Sequence, residues 1–257
     1  DFEERYSETA RVTAPTPWDL INELMQGGLG AGELGVVVAP AGIGKSWVLS
    51  AMGAYAISQG KNVVHYTLEL NESYVGLRYD SIFSGVEGQN LMYHKEEVLE
   101  KIEKVKGDLT IKYYPTRSCT VNTLSAHIKK ATSFGAEVDM ILVDYADIMR
   151  DVSKSTEMRH QLGNIYEDLR GLAGELQVPI WTASQANRSA LDEDVIEATK
   201  VAESYAKVMT ADFVMSLSRK VEDKIGNTGR FHVIKNRFGP DGLTFPAKIN
   251  TNIGKIE

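Results

Sequence analysis

The stretch APAGIGKS, Ala39 to Ser46, has the residue types and spacing of a phosphate-binding loop. In such a loop successive backbone N–H groups curl around phosphate oxygens. The N-terminus of the next helix adds its partial positive charge. A lysine reaches the β- and γ-phosphates, and the hydroxyl after it holds Mg²⁺. Lys45 and Ser46 supply those groups, Gly44 lets the backbone pass close to phosphate, and Gly42 supports the same curl. Ala39 stands where the pattern G-x-x-x-x-G-K-[S/T] begins with glycine, a position that needs only a small residue. The nucleotide-contacting set is Ala41, Gly42, Ile43, Gly44, Lys45, Ser46 and Trp47.

Other polar residues end apolar runs. Asp144 closes MILVD, where a carboxylate would sit beside Ser46 and share its Mg²⁺. Asp147, three residues on, reads as a cap on the following loop. Glu69 closes HYTLE, on what is expected to be the strand beside the phosphate-loop strand. It is either the carboxylate that orients an attacking water or a surface glutamate opening a turn. Gln185 closes IWTASQ and is either an amide that senses the γ-phosphate or a buried glutamine satisfied by backbone. Lys235 and Arg237, in VIKNRFG, share one face of a late strand. They suit an anion site, in this subunit or across to a neighbour's, or form a solvated basic face.

The elements that position these residues follow from hydropathy. GELGVVVAP is a buried strand and Lys45–Gly60 a helix ending at a C′ glycine. Further strands are expected at 62–68, 109–114, 138–144, 179–184 and 212–217. Helices are expected at 73–83, 96–106, 121–134 and 157–176, with Asn71 and Thr120 as N-caps. Alternating strand and helix gives an α/β fold with a mostly parallel, twisted sheet flanked by helices. The tail from Gly229 lacks a helical period and reads as antiparallel strands. Ligands bind at the carboxyl ends of the strands in such a sheet. The polar loop 186–202 is long enough to be a mobile functional segment.

Bulk composition bounds the rest. A chain of 257 residues with 43% hydrophobic and 25% charged residues fits one large α/β domain. Residues 1–17 read as a lead-in and 18–257 as the domain. No apolar run has the length of a membrane span, and the acidic N-terminus is not a signal peptide. The single cysteine, Cys119, excludes an internal disulfide framework and points to a reducing, cytoplasmic setting. The five histidines lack metal spacing and read as structural or surface residues. Net charge is −7, which excludes a generally basic nucleic-acid surface, but residues 219–257 carry +4 and the remainder −11.

Taken in order, APAGIGKS, HYTLEL, MILVDYADIM, IWTASQANRS, AESYAKVMTADFVMSL and VIKNRFGPDG resemble the motifs of one family. That family is the RecA-like P-loop NTPase motor domain of hexameric replicative DNA helicases, the DnaB family. IKYYPTRSCTVNTL and AESYAKVMTADF are most similar to its T-even phage branch. The resemblance implies ATP as the nucleotide, a homo-hexameric ring and single-stranded DNA threaded through it. Glu69 then matches the catalytic glutamate, and Gln185 the residue that couples nucleotide state to the DNA loops. Lys235 and Arg237 match the lysine and arginine finger that reach a neighbour's γ-phosphate. The DNA loops fall near 150–159 and 188–204, with Arg150, Lys154, Arg159, Arg188, Glu203 and Ser204 as contacts. Ala202 departs from the arginine of many bacterial members. The family's collar domain, which meets primase and a loader, is expected to be missing from this sequence. A phage origin would place the protein in host cytoplasm.

Two other readings share the fold. A recombinase of the RecA type would form filaments that pair strands. A nucleotide-gated regulator of the KaiC kind would assemble without moving DNA.

Overall fold

The structure, a computed structural model, describes residue 3 and residues 11–153, 155–201 and 205–257. Its first elements are β1 (Thr13–Ala14), α1 (Asp19–Leu24) and β2 (Leu29–Gly30), with β1 and β2 paired antiparallel. Residues 11–17, read as a lead-in, are packed onto the body. Arg11 donates to the carbonyls of Met25 and Gly28, pairs with Glu33, and lies 3.9 Å from the Phe238 ring centre.

Strand β3 (Leu34–Ala39) is buried at all six positions. Its alternate side chains enter two different cores. Val37 and Ala39 join Val48, Leu49 and Met52 of α2 (Lys45–Ser58). Val36 and Val38 join α5 (Val121–Ser133) and α6 (Met158–Leu176), through Leu124, Ile165 and Leu169. A strand apolar on both faces is what a sheet covered on both sides requires. Helix α2 is buried nearly all round, so it runs against the sheet rather than along the surface. Gly53 permits that approach, because a Cβ there would meet the Tyr79 hydroxyl at 2.3 Å and Leu142 at 2.8 Å.

The remaining elements alternate as expected. They are β4 (Val63–Thr67), α3 (Glu72–Ser84), α4 (Lys95–Ile102), β5 (Leu109–Tyr113), β6 (Met140–Asp144) and β7 (Ile180–Gln185). Asn71 caps α3 by accepting from the Tyr74 N–H at 3.0 Å, and Thr120 closes a capping box on α5. Then come α7 (Ala206–Thr210), β8 (Phe213–Ser218), α8 (Val221–Gly226), β9 (Thr228–Asn236), β10 (Thr244–Asn250) and β11 (Lys255–Ile256). Helix α8 has no counterpart in the sequence reading; its six residues are too few to show a period.

The large sheet has nine strands in the order β11-β10-β9-β8-β3-β7-β6-β4-β5. From β8 to β5 all pairs are parallel; β9, β10 and β11 add antiparallel. This meets the expected α/β class and its antiparallel end. One neighbour relation differs: β4 is not beside β3, since β7 and β6 lie between them. Helix α2 spans that gap, contacting β3, β7, β6 and β4.

Candidate nucleotide site and nucleic-acid edge

The turn from β3 into α2 has two glycines in the left-handed region, Gly42 at φ 74° and Gly44 at φ 122°. Residues with a Cβ rarely adopt either, so the curl requires glycine at both. Ala39 is the last rung of β3, fully buried and paired with Gln185 across the sheet. Its role is packing, which alanine fills as well as glycine. The loop opens into a cavity of about 530 Å³. Ala41, Gly42, Ile43, Gly44, Lys45, Ser46 and Trp47 line one wall, and Glu69 and Gln185 line it too.

Glu69 reaches this cavity from two strands farther off than expected. The Thr67 hydroxyl donates to the Leu70 carbonyl at 2.6 Å and accepts the Leu70 N–H at 3.3 Å, closing a tight turn with Glu69 in its middle. Asp144 ends β6 with 2% exposure. Burial raises its carboxyl pKa; the Ser46 hydroxyl bond and the charges of Arg78 and Lys45 oppose that shift. Its Oδ1 is buried with no hydrogen-bond partner among the described residues. A buried carboxylate oxygen with no partner among the described residues, on a carboxyl that also bonds a serine hydroxyl, is a donor set that fits Mg²⁺. Lys45 is itself buried, its ammonium 4.5 Å from the Tyr145 ring centre.

Three cations in the cavity escaped the sequence reading. Arg78, on α3, lies 4.9 Å from the Trp47 ring centre, and its buried Nη1 has no partner among the described residues. Burial lowers its pKa, while Asp144 and Glu69 hold it up. An arginine inside the buried stripe Val75–Tyr79–Ile82 was the available signal. Arg219 and Lys224 line the far wall with Asn227, Thr251 and Asn252. They belong to the basic tail whose +4 balance was legible, but not their placement.

Lys235 and Arg237 are nowhere near this cavity. β9 runs antiparallel to β8, so its last residues meet the start of β8, with Asn236 opposite Phe213. That is the amino end of the parallel strands. The phosphate loop lies at the carboxyl end, about 17 Å away along the six residues of β3. Arg237 Nη1 pairs with Asp212 Oδ1 at 2.8 Å, and its head is 49% exposed. Asp212 is 2% exposed and accepts also from Arg170 at 3.1 Å and from the Leu34 N–H at 3.0 Å. Lys235 donates to the Met209 carbonyl. Burial and the charge of Arg237 lower its pKa.

Of the expected DNA contacts, Arg150, Arg159 and Arg188 are exposed, beyond the carboxyl ends of β6 and β7. Lys154, Glu203 and Ser204, and the departing Ala202, lie outside the described residues. Arg117 was not anticipated. It is exposed at φ 59°, and its N–H bonds the Ile148 carbonyl, which sets it beside the Arg150 segment. The described part of the expected mobile loop, residues 186–201, is packed down. Ala186 pairs with Val201, Ile196 is fully buried, and Ser216 and Ser218 hold the Ile196 and Asp194 carbonyls at 2.6 Å. Hydroxyls of β8 thus hold its main chain to the sheet. Cys119 is wholly buried, and burial pushes its thiol up to about 11. Among the described residues no cluster of three or more acidic, histidine or cysteine side chains could hold a metal. No helix among them is long and apolar enough to cross a membrane.

Comparison with known proteins agrees with this geometry. Residues 15–253 match the family described as the DnaB-like helicase C-terminal domain. The DnaB-like replicative helicase of Enterobacteria phage T4 is 28% identical over 261 residues, covering 93% of this chain and 53% of that protein. The chain thus spans about half the length of that relative. The solved ATPase domain of G40P superposes with a TM-score of 0.83 at 17% identity, over 99% of this chain and 94% of that one. A DnaB-like replicative helicase, solved in a study of its interactions with primase, also gives 0.83, at 16% identity, over 99% and 64%. The fold is that of a RecA-like ATPase, as the motif order implied. Matched over nearly its whole length by that family's profile, the chain belongs to the DnaB-like helicase C-terminal domain family.

Proposed function

We propose that this chain is the ATP-hydrolysing motor of a replicative DNA helicase, working in the cytoplasm as a homo-hexameric ring that moves along single-stranded DNA. ATP is the substrate and binds at Ala41–Trp47. Ser46 and Asp144 would hold Mg²⁺, which when bound offsets phosphate charge. Lys45 and Arg78 bring two more cations to the same cavity. Glu69 orients a water and takes its proton as the water oxygen attacks the γ-phosphorus and the bond to the β–γ bridging oxygen breaks. Gln185, paired with the last residue of β3, follows the state of the γ-phosphate.

One observation carries the shared-site reading: Arg237 and Lys235 stand at the end of the sheet opposite the cavity. They can serve a nucleotide only on another copy, where an arginine stabilises transition-state charge. The exposed Arg150, Arg159 and Arg188, with Lys154, Glu203 and Ser204 outside the described residues, are the proposed contacts to the DNA strand. A few contacts per subunit are enough along a narrow channel, so the net charge of −7 is no obstacle. Primase and a loader are proposed as partners of the longer protein, as in the primase-interacting neighbour.

The test is the rate of ATP hydrolysis with and without single-stranded DNA. Strong stimulation supports the motor. Rings that hydrolyse ATP but neither bind DNA nor respond to it would move the assignment to the nucleotide-gated regulator. Filaments that pair strands would move it to the recombinase.

A further inference from the structure

Gln185 faces two cavities. One holds the phosphate loop; the other, of about 220 Å³, lies behind it toward Tyr145 and Lys207. Asp147 stands at that second cavity, and it does more than cap a loop. Its Oδ2 accepts the Gln185 backbone N–H at 3.0 Å and the Ser184 hydroxyl at 3.3 Å. Its Oδ1 accepts the Tyr166 hydroxyl at 2.8 Å and pairs with the Lys207 ammonium at 2.9 Å. Lys207 is 1% exposed and also donates to Ser184 at 3.3 Å. It sits on α7, the helix that follows the second expected DNA loop in the chain.

A buried ion pair is a poor stabilising device. Desolvating both charges offsets much of their attraction, and an apolar pair of similar size often does as well. What such a pair does supply is a fixed, directional link. Here it joins the main chain of Gln185 to α7 through one carboxylate. We infer that Asp147 and Lys207 are positioning residues that tie Gln185 to the helix after the second DNA loop, so that a shift at the γ-phosphate is passed to the DNA-contacting segment. This rests on the motor reading above.

The test uses the double variant Asp147→Asn/Lys207→Met, which removes both charges and leaves neither buried alone. Thermal unfolding, basal ATP hydrolysis and DNA-stimulated hydrolysis are measured beside the parent. The expected result is a folded protein whose basal rate stays near parental and whose stimulation by DNA falls at least about fivefold, the low end of measured site-to-site coupling. Parental stimulation in the folded double variant overturns the inference. If the double variant does not fold, Lys207→Arg, which keeps the charge and alters its reach, decides. Lowered stimulation supports the link, and a parental ratio overturns it. A parent whose hydrolysis ignores DNA overturns the motor reading, and this inference with it.

Discussion

The two ends of the same parallel strands are built on opposite principles. At the carboxyl ends, buried polar atoms have bonding capacity left over: Asp144 Oδ1 and Arg78 Nη1 have no partner among the described residues. Each such atom costs about 1–3 kcal/mol, which a ligand can return. At the amino ends, Asp212 is as deeply buried but fully engaged. Oδ2 takes the Leu34 N–H, Oδ1 takes Arg237, and Arg170 donates to both. One end is shaped to receive a charged ligand. At the other, Asp212 is satisfied from within and holds two part-exposed guanidiniums, of Arg170 and Arg237, in place. The same residue types, arginine and aspartate, thus serve reception at one edge and presentation at the other.

The sharpest way to break this contrast is Arg237→Ala. Hydrolysis by the assembled protein is expected to fall by about 10³-fold while nucleotide binding is retained. Mixing that variant with Glu69→Gln protein is expected to recover activity, because each supplies what the other lacks. A mixture as inactive as its components would show that donor and cavity act within one copy. Next is Glu69→Gln alone, expected to lower kcat by about 10²–10³-fold with little change in ATP affinity. A parental rate would return Glu69 to the status of a surface residue.

A smaller effect is expected from Asp212→Asn, which loosens the anchor of Arg237 without touching the cavity. The predicted loss is about tenfold in kcat with KM for ATP unchanged, as for a misplaced transition-state group. Urea unfolding should register about 2 kcal/mol for the lost charge-assisted bonds. A changed KM with an unchanged kcat would contradict the separation of the two ends.

The smallest effect concerns the core between them. Burial, and then the charge of Arg78, lower the pKa of His65 to about 3; its ring bonds the Tyr79 hydroxyl at 2.8 Å. The unfolded chain takes up a proton below about pH 6.5 that the folded chain refuses until about pH 3. Stability therefore falls as pH falls through that window, by about 2 kcal/mol between pH 7 and pH 5. Chemical denaturation at both pH values, with His65→Asn as the control expected to flatten the slope, checks this.

Local chemistry was legible in the sequence, and its spatial assembly was only partly so. The phosphate loop depends on neighbours within eight residues, so its spacing alone revealed it. Asp144, Glu69 and Gln185 stood out because each ends an apolar run, and strand ends converge in a parallel sheet. Strand order was not written in any one run: β4 lies beyond β7 and β6, and only the buried length of α2 brings Glu69 to the loop. The Asp212–Arg237 and Asp147–Lys207 pairs join residues 25 and 60 apart in the chain, which no periodicity encodes. The loop from 186 to 201 misled because its anchors are its own carbonyls and the serines of β8, which its composition does not display.

Because the phosphate loop and Arg237 lie toward opposite ends of β3, a contact that joins them across two copies pairs unlike ends. A two-fold pair lying antiparallel would set each copy's arginine against the other's cavity and stop at two sites. Copies joined head to tail must either close by rotation or run on as an open helix. An open array always leaves one terminal cavity without its arginine and one terminal arginine without its cavity. Closure removes both loose ends at once, so in a head-to-tail array every site works only when the ring is closed.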